Sequence, residues 1–363
     1  MFEKYPFEKL NELLENISHP NEVISLTIGE PQFETPEFIQ KELCKNAKFL
    51  NKYAKTSGEE VLKKSQRDFV KRRFNVELDK DELIPTFGTR EVLFNFPLFL
   101  RPSKTAFPNP FYQIYEGAAI AAGSKINYLE LNEKNNFKPS LNQLDGDEDF
   151  IILNSPNNPT ASVMSLDELC EWVEYALKKD VVVLNDECYS EIYTNNPPPS
   201  ILEASIKIGN KNFKNVLAIN SISKRSSAPG LRSGFIAGDK RILKDYLNFR
   251  TYTGCAIPLP LQYAAKLAWD DEKYPAIFRE EYKKNFERAE KILGIEIPEA
   301  TFYIWLKVGD DIDFTKEAYK RGVKVLPGRY MGRNGAGEGY VRIALVYDEE
   351  KTKKALNILK EIL

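Results

Sequence analysis

The 363-residue chain has one histidine, His19, and four scattered cysteines, Cys44, Cys170, Cys188 and Cys255, with no CxxC pair. That scarcity excludes much chemistry. A Ser-His-Asp or Cys-His nucleophile would depend on His19 alone, and His/Cys zinc sites lack clustered ligands, so no metal is expected. There is no disulfide framework. Acid-base work falls to Lys, Tyr, Asp or Glu. No apolar run reaches the roughly 18 residues that a membrane span requires. The opening MFEKYPFEKLNELLENI has neither the apolar centre nor the cleavage site of a signal peptide. The expectation is a cytoplasmic protein without a membrane partner. An excess of charge of one sign is also missing: Lys+Arg 51 against Asp+Glu 53 leaves a formal net charge of -2. Without a basic field no nucleic-acid partner is expected, and any anion site must be local.

What is present reads as a two-domain enzyme, since this length suits about two ordinary domains, each with its own core. Strand-like runs occur at LIPTF (83–87), FIILN (150–154), VVVLND (181–186), VLAINS (216–221) and GFIAG (234–238), with helical spacing between them. In SLDELCEWVEYALKK, Ser165 and Glu168 predict a capping box, and Leu166, Leu169, Trp172, Val173, Ala176 and Leu177 one apolar face. The alternation predicts an α/β fold with a mostly parallel sheet, whose ligands gather where strands end. From about residue 258 long charged helices and short strands suggest a smaller α+β domain. The acidic turn DGDED (145–149) lacks the spacing of a calcium loop and reads as solvated.

The chemistry is written at the strand ends. FGTRE (87–91) closes a strand and opens a helix, so Gly88 and Thr89 form either an ordinary turn or an anion site at the positive end of that helix. NSPNNPT (154–160) follows the next strand. VVVLND ends on Asp186, with Tyr189 three positions on; a carboxylate there needs a partner, either a structural arginine or a protonated heterocyclic nitrogen. SISKRSSAPGLRSGF (221–235) places Lys224 just beyond a strand, with Arg232 eight residues later. A lysine in a crevice loses its proton more readily than one in water, as Schiff-base chemistry demands. Phosphate donors, an amide, an acid, a tyrosine and a lysine thus emerge from one sheet edge.

The ordered set of Tyr53, Gly58, GTRE, PNNPT, DECY, SISK, Arg232 and a late RIAL closely resembles the fold-type I, class I/II aminotransferases over nearly the whole chain. The resemblance implies a seven-stranded, mostly parallel large domain (36–257) that binds pyridoxal 5'-phosphate. It also implies a small α+β domain (1–35 and 258–363). Lys224 would carry the cofactor and shuttle the proton between the substrate's α-carbon and the cofactor's C4'. Asp186 would pair with the ring nitrogen, Asn158 and Tyr189 would donate to the ring oxygen, and Tyr112 would stack on the ring. Gly88, Thr89, Ser221, Ser223 and Arg232 match the phosphate neighbourhood. Tyr53 matches a tyrosine that reaches the neighbouring subunit's cofactor, which implies a homodimer. Arg342 would grip the substrate α-carboxylate, close to the backbone of Gly29. Two departures stand out: Ala161 replaces the usual glycine after NPT, and Phe87 precedes Gly88 where a small or polar residue is frequent.

Further stretches, NPFYQIYEGAA, RTYTGCA and VLPGRYMGR, look most like bacterial succinyldiaminopimelate aminotransferases. The expected substrates are N-succinyl-LL-diaminopimelate and 2-oxoglutarate. Several cations should then line the pocket, with Arg90 favoured and Arg250, Arg329 and Arg333 as further candidates, each equally suited to a salt bridge. An aspartate or aromatic aminotransferase, or a β/γ-lyase, would retain nearly every motif. A catalytically idle sensor domain is disfavoured by the intact Lys224 and Asp186. A nucleotide-dependent dehydrogenase is disfavoured because GRNGAGEG (332–339) does not fit GxGxxG.

Overall fold

The computed structural model describes residues 2–363. Along the chain its strands are β1 (Ile24–Ser25), β2 (Leu83–Thr86), β3 (Lys104–Asn109), β4 (Lys125–Glu130), β5 (Phe150–Asn154) and β6 (Val182–Asp186), followed by β7 (Val216–Ser221), β8 (Gly234–Gly238), β9 (Tyr303–Lys307), β10 (Val323–Lys324), β11 (Leu326–Pro327) and β12 (Tyr340–Ala344). Strands β2 to β8 form one seven-stranded sheet in the order β2-β8-β7-β6-β5-β3-β4. Only β8 is antiparallel to its neighbours β2 and β7. Strands β2, β5, β6 and β7 therefore end on the same edge, where the following loops converge.

The central strands are apolar on both faces because helices cover both. Ile151 and Leu153 of β5 join one core with Phe69, Trp172, Val173 and Phe235, while Phe150 and Ile152 join the opposite core with Phe96, Phe107 and Tyr246. The crossover helix Leu166–Lys179 carries the expected capping box: the Ser165 amide donates to Glu168 Oε2 at 2.6 Å and the Glu168 amide to Ser165 Oγ at 3.2 Å. Strands β3 and β4 escaped the sequence pattern. The first carries Pro108, and the second lies at the sheet edge with mostly half-buried residues, so neither shows a long apolar run.

A smaller layer contains the antiparallel sheet β11-β12-β9 and the parallel pair β1-β10. Ile304, Leu306, Val341 and Ile343 pack there against Phe286, Ala289, Leu356 and Leu359 of two long helices. The N-terminal helix Pro6–Leu14 joins it through Leu10 and Leu14, which meet Leu326 and Met331. The helix Leu259–Asp270 falls in the expected small domain, yet Ala264, Ala265, Ala268 and Trp269 pack into the core of the large sheet. Trp269 contacts Phe69 and Phe235, and its indole donates to Ser233 Oγ at 3.1 Å. The change of composition at residue 258 thus precedes the change of packing partner. In the acidic turn, Asp145 and Asp147 pair with Lys104, and Asp149 accepts from Ser103.

Candidate active site

The strand ends and the facing edge of the small layer enclose a cavity of about 810 Å³, within the range of small-molecule sites. Every expected site residue lines it except Gly88, Tyr53 and the three further arginine candidates, Arg250, Arg329 and Arg333. Gly88 lies directly behind its wall, whereas Tyr53 is fully exposed elsewhere on the chain's surface.

Register explains the first cluster. Gly234 at the start of β8 pairs with both Thr86 and Ser221, the last residues of β2 and β7. Arg232, two residues earlier, therefore faces both strand ends. Gly88 caps the helix Thr89–Leu100 at φ +72°, and a Cβ there would lie 2.2 Å from Arg232 Nη2, so glycine is required both by conformation and by space. Ser221 Oγ donates to Ser223 Oγ at 2.8 Å and accepts from the Ser223 amide at 3.1 Å. Among the described residues the Arg232 guanidinium has only carbonyl partners, Pro229 at 2.8 Å and Phe87 at 3.5 Å. Burial and the nearby Arg90 charge hold its pKa below the usual arginine range. Arginine, two serines, Thr89 and a helix N-terminus make an electropositive cup. Phe87 adds its ring beneath Arg232 at 5.8 Å, not a donor.

Lys224, on the short helix Ile222–Arg225, donates through Nζ to the Gly29 carbonyl. Burial is the main reason that its pKa is pushed down to about 8, and the Arg342 and Arg232 charges add to it. Across the cavity Asp186 is buried and accepts from Tyr115 Oη at 3.0 Å and from the Cys188 amide at 3.2 Å. Burial raises its pKa. Among the described residues no arginine or lysine forms an ion pair with it; of the two partners open to Asp186, the structural arginine is absent. Arg342 is buried too: Nη1 donates to Asn158 Oδ1 at 2.7 Å and Nη2 to the Thr27 carbonyl, while Nε has no partner among the described residues. Its guanidinium lies 4.3 Å over the Tyr303 ring. A buried cation without a carboxylate is costly, and Arg342 lines the cavity, where an anion can enter. Because Asn158 Oδ1 is taken by Arg342, its amide NH2 remains free to donate.

Arg90 donates through Nε and Nη2 to Tyr112 Oη at 3.0 and 2.8 Å, and through Nη2 to Tyr5 Oη at 3.3 Å. The other three arginine candidates are committed to carboxylates. Arg250 forks onto Glu91 at 2.9 Å, Arg329 holds Asp311 at 2.6 Å and Arg333 holds Glu116 at 2.5 Å. Of the two readings open to them, all three are structural ion pairs, with acids 159, 18 and 217 positions away that only folding brings to them. Ala161 does adopt a left-handed backbone, at φ +62°. The site also uses residues that the sequence reading passed over. Tyr115 and Cys188 lie inside the quoted NPFYQIYE and DECY, and Asn154 opens NSPNNPT, so their signals were present. Asn154 Nδ2 donates to the Asp186 carbonyl at 2.9 Å and Oδ1 accepts the Asn158 amide at 2.8 Å, which ties the two loops together. Tyr5 and Tyr303 had no local signal.

This donor set fits pyridoxal phosphate: a cup for the dianion, a buried unpaired carboxylate for a ring N–H, amide and phenol donors for the ring oxygen, and a lysine of lowered pKa. The model of the class I and II aminotransferase family matches residues 21–359. The chain is 33% identical to an LL-diaminopimelate aminotransferase of Dehalococcoides mccartyi over 92% of this chain and 90% of the relative. It is 32% identical to that of Aquifex aeolicus, over 96% and 93%. Among solved structures, the aminotransferase AspB of Helicobacter pylori superposes with a TM-score of 0.97 at 50% identity, covering 99% and 98% of the two chains. An aminotransferase of Neisseria meningitidis gives 0.95 at 38%, covering 100% and 98%. The chain belongs to the class I and II aminotransferases and is a pyridoxal-phosphate-dependent transaminase of fold type I.

Proposed function

We propose that this transaminase takes the amino group of N-succinyl-LL-diaminopimelate and gives it to 2-oxoglutarate, acting in the cytoplasm as a homodimer. Tyr53 of the partner subunit completes each site. Its full exposure on a single chain is compatible with that role.

When bound, the cofactor supplies an electron sink for the pair left behind as the α-proton departs. Lys224 carries it and is the base: a pKa near 8 leaves Nζ able to accept the α-proton near neutral pH. Asp186 would pair with the ring nitrogen and stabilise its proton. Asn158 and Tyr189 would donate to the ring oxygen, Tyr112 would cover the ring, and the cup of Gly88, Thr89, Ser221, Ser223 and Arg232 would hold the phosphate. Arg342 takes the α-carboxylate in a two-pronged fork beside Gly29.

The observation that carries the substrate reading is Arg90. It lines the cavity with two tyrosine hydroxyls as its hydrogen-bond partners, so its charge is available to a distal carboxylate. The names of the relatives favour a second reading, free LL-diaminopimelate. That donor brings a distal ammonium, which calls for an acid. The acids lining the cavity are Asp186 and Glu91, and Glu91 is bound by Arg250. The succinylated donor replaces the ammonium by a neutral amide and adds a carboxylate, which supports the first reading.

The test compares kcat/KM, from stopped-flow half-reactions, for succinylated and free diaminopimelate, aspartate and an aromatic amino acid, with glutamate as reference. One hydrogen bond to a charged group contributes about 1.5–3 kcal/mol, so the succinylated donor should lead by roughly tenfold to a hundredfold. Arg90→Ala should remove most of that lead. Equal values for the two diaminopimelates, or a preference for aspartate, would refute the substrate; an equal loss for every donor would refute only the role of Arg90.

A further inference from the structure

Tyr303 belongs to no motif of the sequence, yet its hydroxyl sits 2.8 Å from Tyr189 Oη. It stands on β9 opposite Ala344, two residues from Arg342 along β12, so Tyr303 and Arg342 share one face of the small sheet as diagonal neighbours. The Arg342 guanidinium rests over its ring at 4.3 Å. On the other side Gly29 leaves it room: a Cβ at Gly29 would lie 1.8 Å from Tyr303 Oη. One buried side chain thus touches the cation assigned to the substrate carboxylate, the phenol assigned to the ring oxygen, and the glycine whose carbonyl holds Lys224.

We propose that Tyr303 is a positioning residue that fixes the direction of the Tyr189 hydroxyl by donating to it, and so ties Arg342 to the donor on the cofactor's ring oxygen; this rests on the role given above to Tyr189. The direction follows from counting protons. A phenol has one. If Tyr189 gives its proton to the ring oxygen, its own oxygen must accept, and the Tyr303 hydroxyl is the group within reach. Burial pushes the Tyr189 pKa well above the usual tyrosine range, so it stays protonated as a donor requires. Donation from Tyr303 polarises the Tyr189 O–H and strengthens its bond to an anionic oxygen.

The readout is the pH midpoint of the visible absorbance change of the cofactor-loaded protein, in wild type, Tyr189→Phe, Tyr303→Phe and the double variant. Stabilising the anionic ring oxygen favours the deprotonated chromophore, so loss of a donor raises the midpoint. Tyr189→Phe should raise it by about one unit and Tyr303→Phe by about half a unit. In the Tyr189→Phe background the second change should add nothing. The donor KM should stay near wild type in Tyr303→Phe, which keeps the ring under Arg342, and should rise in Tyr303→Leu, which does not. A wild-type midpoint in Tyr303→Phe beside a shifted one in Tyr189→Phe overturns the relay alone, as does a full Tyr303→Phe shift in the Tyr189→Phe background. No shift in Tyr189→Phe overturns both the relay and the role of Tyr189.

Discussion

Replacing Arg250 by Met separates a structural cation from a substrate cation. Arg250 is fully buried and forks onto Glu91, itself almost entirely buried, with both contacts at 2.9 Å. Its third nitrogen donates to the Thr56 carbonyl at 3.1 Å, while Glu91 also accepts from the Phe87 amide at 3.1 Å and from Tyr246 Oη at 3.3 Å. Arg250→Met keeps the side-chain volume but leaves Glu91 as a buried carboxylate without its cation. Breaking a buried pair in this way costs about 3–5 kcal/mol. With a urea dependence of about 3 kcal/mol/M or more for a chain of this size, the unfolding midpoint should fall by roughly 1 M. Glu91→Gln together with Arg250→Met should recover much of the loss, because the glutamine can still accept from the Phe87 amide and carries no charge. The assay is a urea titration of the cofactor-free variants followed by circular dichroism and repeated from the unfolded side. A loss below about 1 kcal/mol, or a double variant as unstable as the single one, would refute the reasoning. Wild-type stability with a selective fall of kcat/KM for distal-carboxylate donors would return Arg250 to the substrate.

Lys224→Met should stabilise the cofactor-free protein at pH 7, because the native lysine's pKa is lowered from 10.5 to about 8 and the charged form is disfavoured by folding. The unfolded chain binds more protons between those values, so wild-type stability rises with pH across that window, and the variant's advantage should shrink there and vanish above it. A stability difference that does not vary between pH 7 and 11 would contradict the lowered pKa; borohydride reduction and peptide mapping of the loaded wild type should label Lys224 and no other lysine. For the dimer, mixing inactive Tyr53→Phe with inactive Arg342→Ala should restore activity through hybrids in which one site has both native residues. No recovery after verified subunit exchange would place both residues in the site of their own chain. Asp186→Asn should weaken cofactor retention and slow the half-reaction severely, since a neutral amide cannot stabilise the ring N–H charge; near-wild-type rates would exclude the pairing.

The amino-acid sequence by itself determined five of the seven strands of the large sheet, and its chemical edge. Strands buried on both faces must be apolar throughout, so β5, β6, β7 and β8 stand out as short apolar runs, and in a largely parallel sheet their polar ends must meet. Asp186 at the end of β6, Asn158 and Lys224 shortly after β5 and β7, and Arg232 two residues before β8 could be read for that reason. The local capping box at Ser165 and Glu168 was legible for the same reason, because all its atoms lie within one turn. Only the tertiary structure decided which arginines are free. Arg250 meets Glu91 across 159 positions, Arg333 meets Glu116 across 217, and Arg90 is left with tyrosines, so charge pairing depends on partners that no local pattern contains. The Tyr189–Tyr303 contact spans 114 positions between the large and the small sheet. A single hydroxyl has no periodicity to betray it, and its place in the site is set by how the two layers pack.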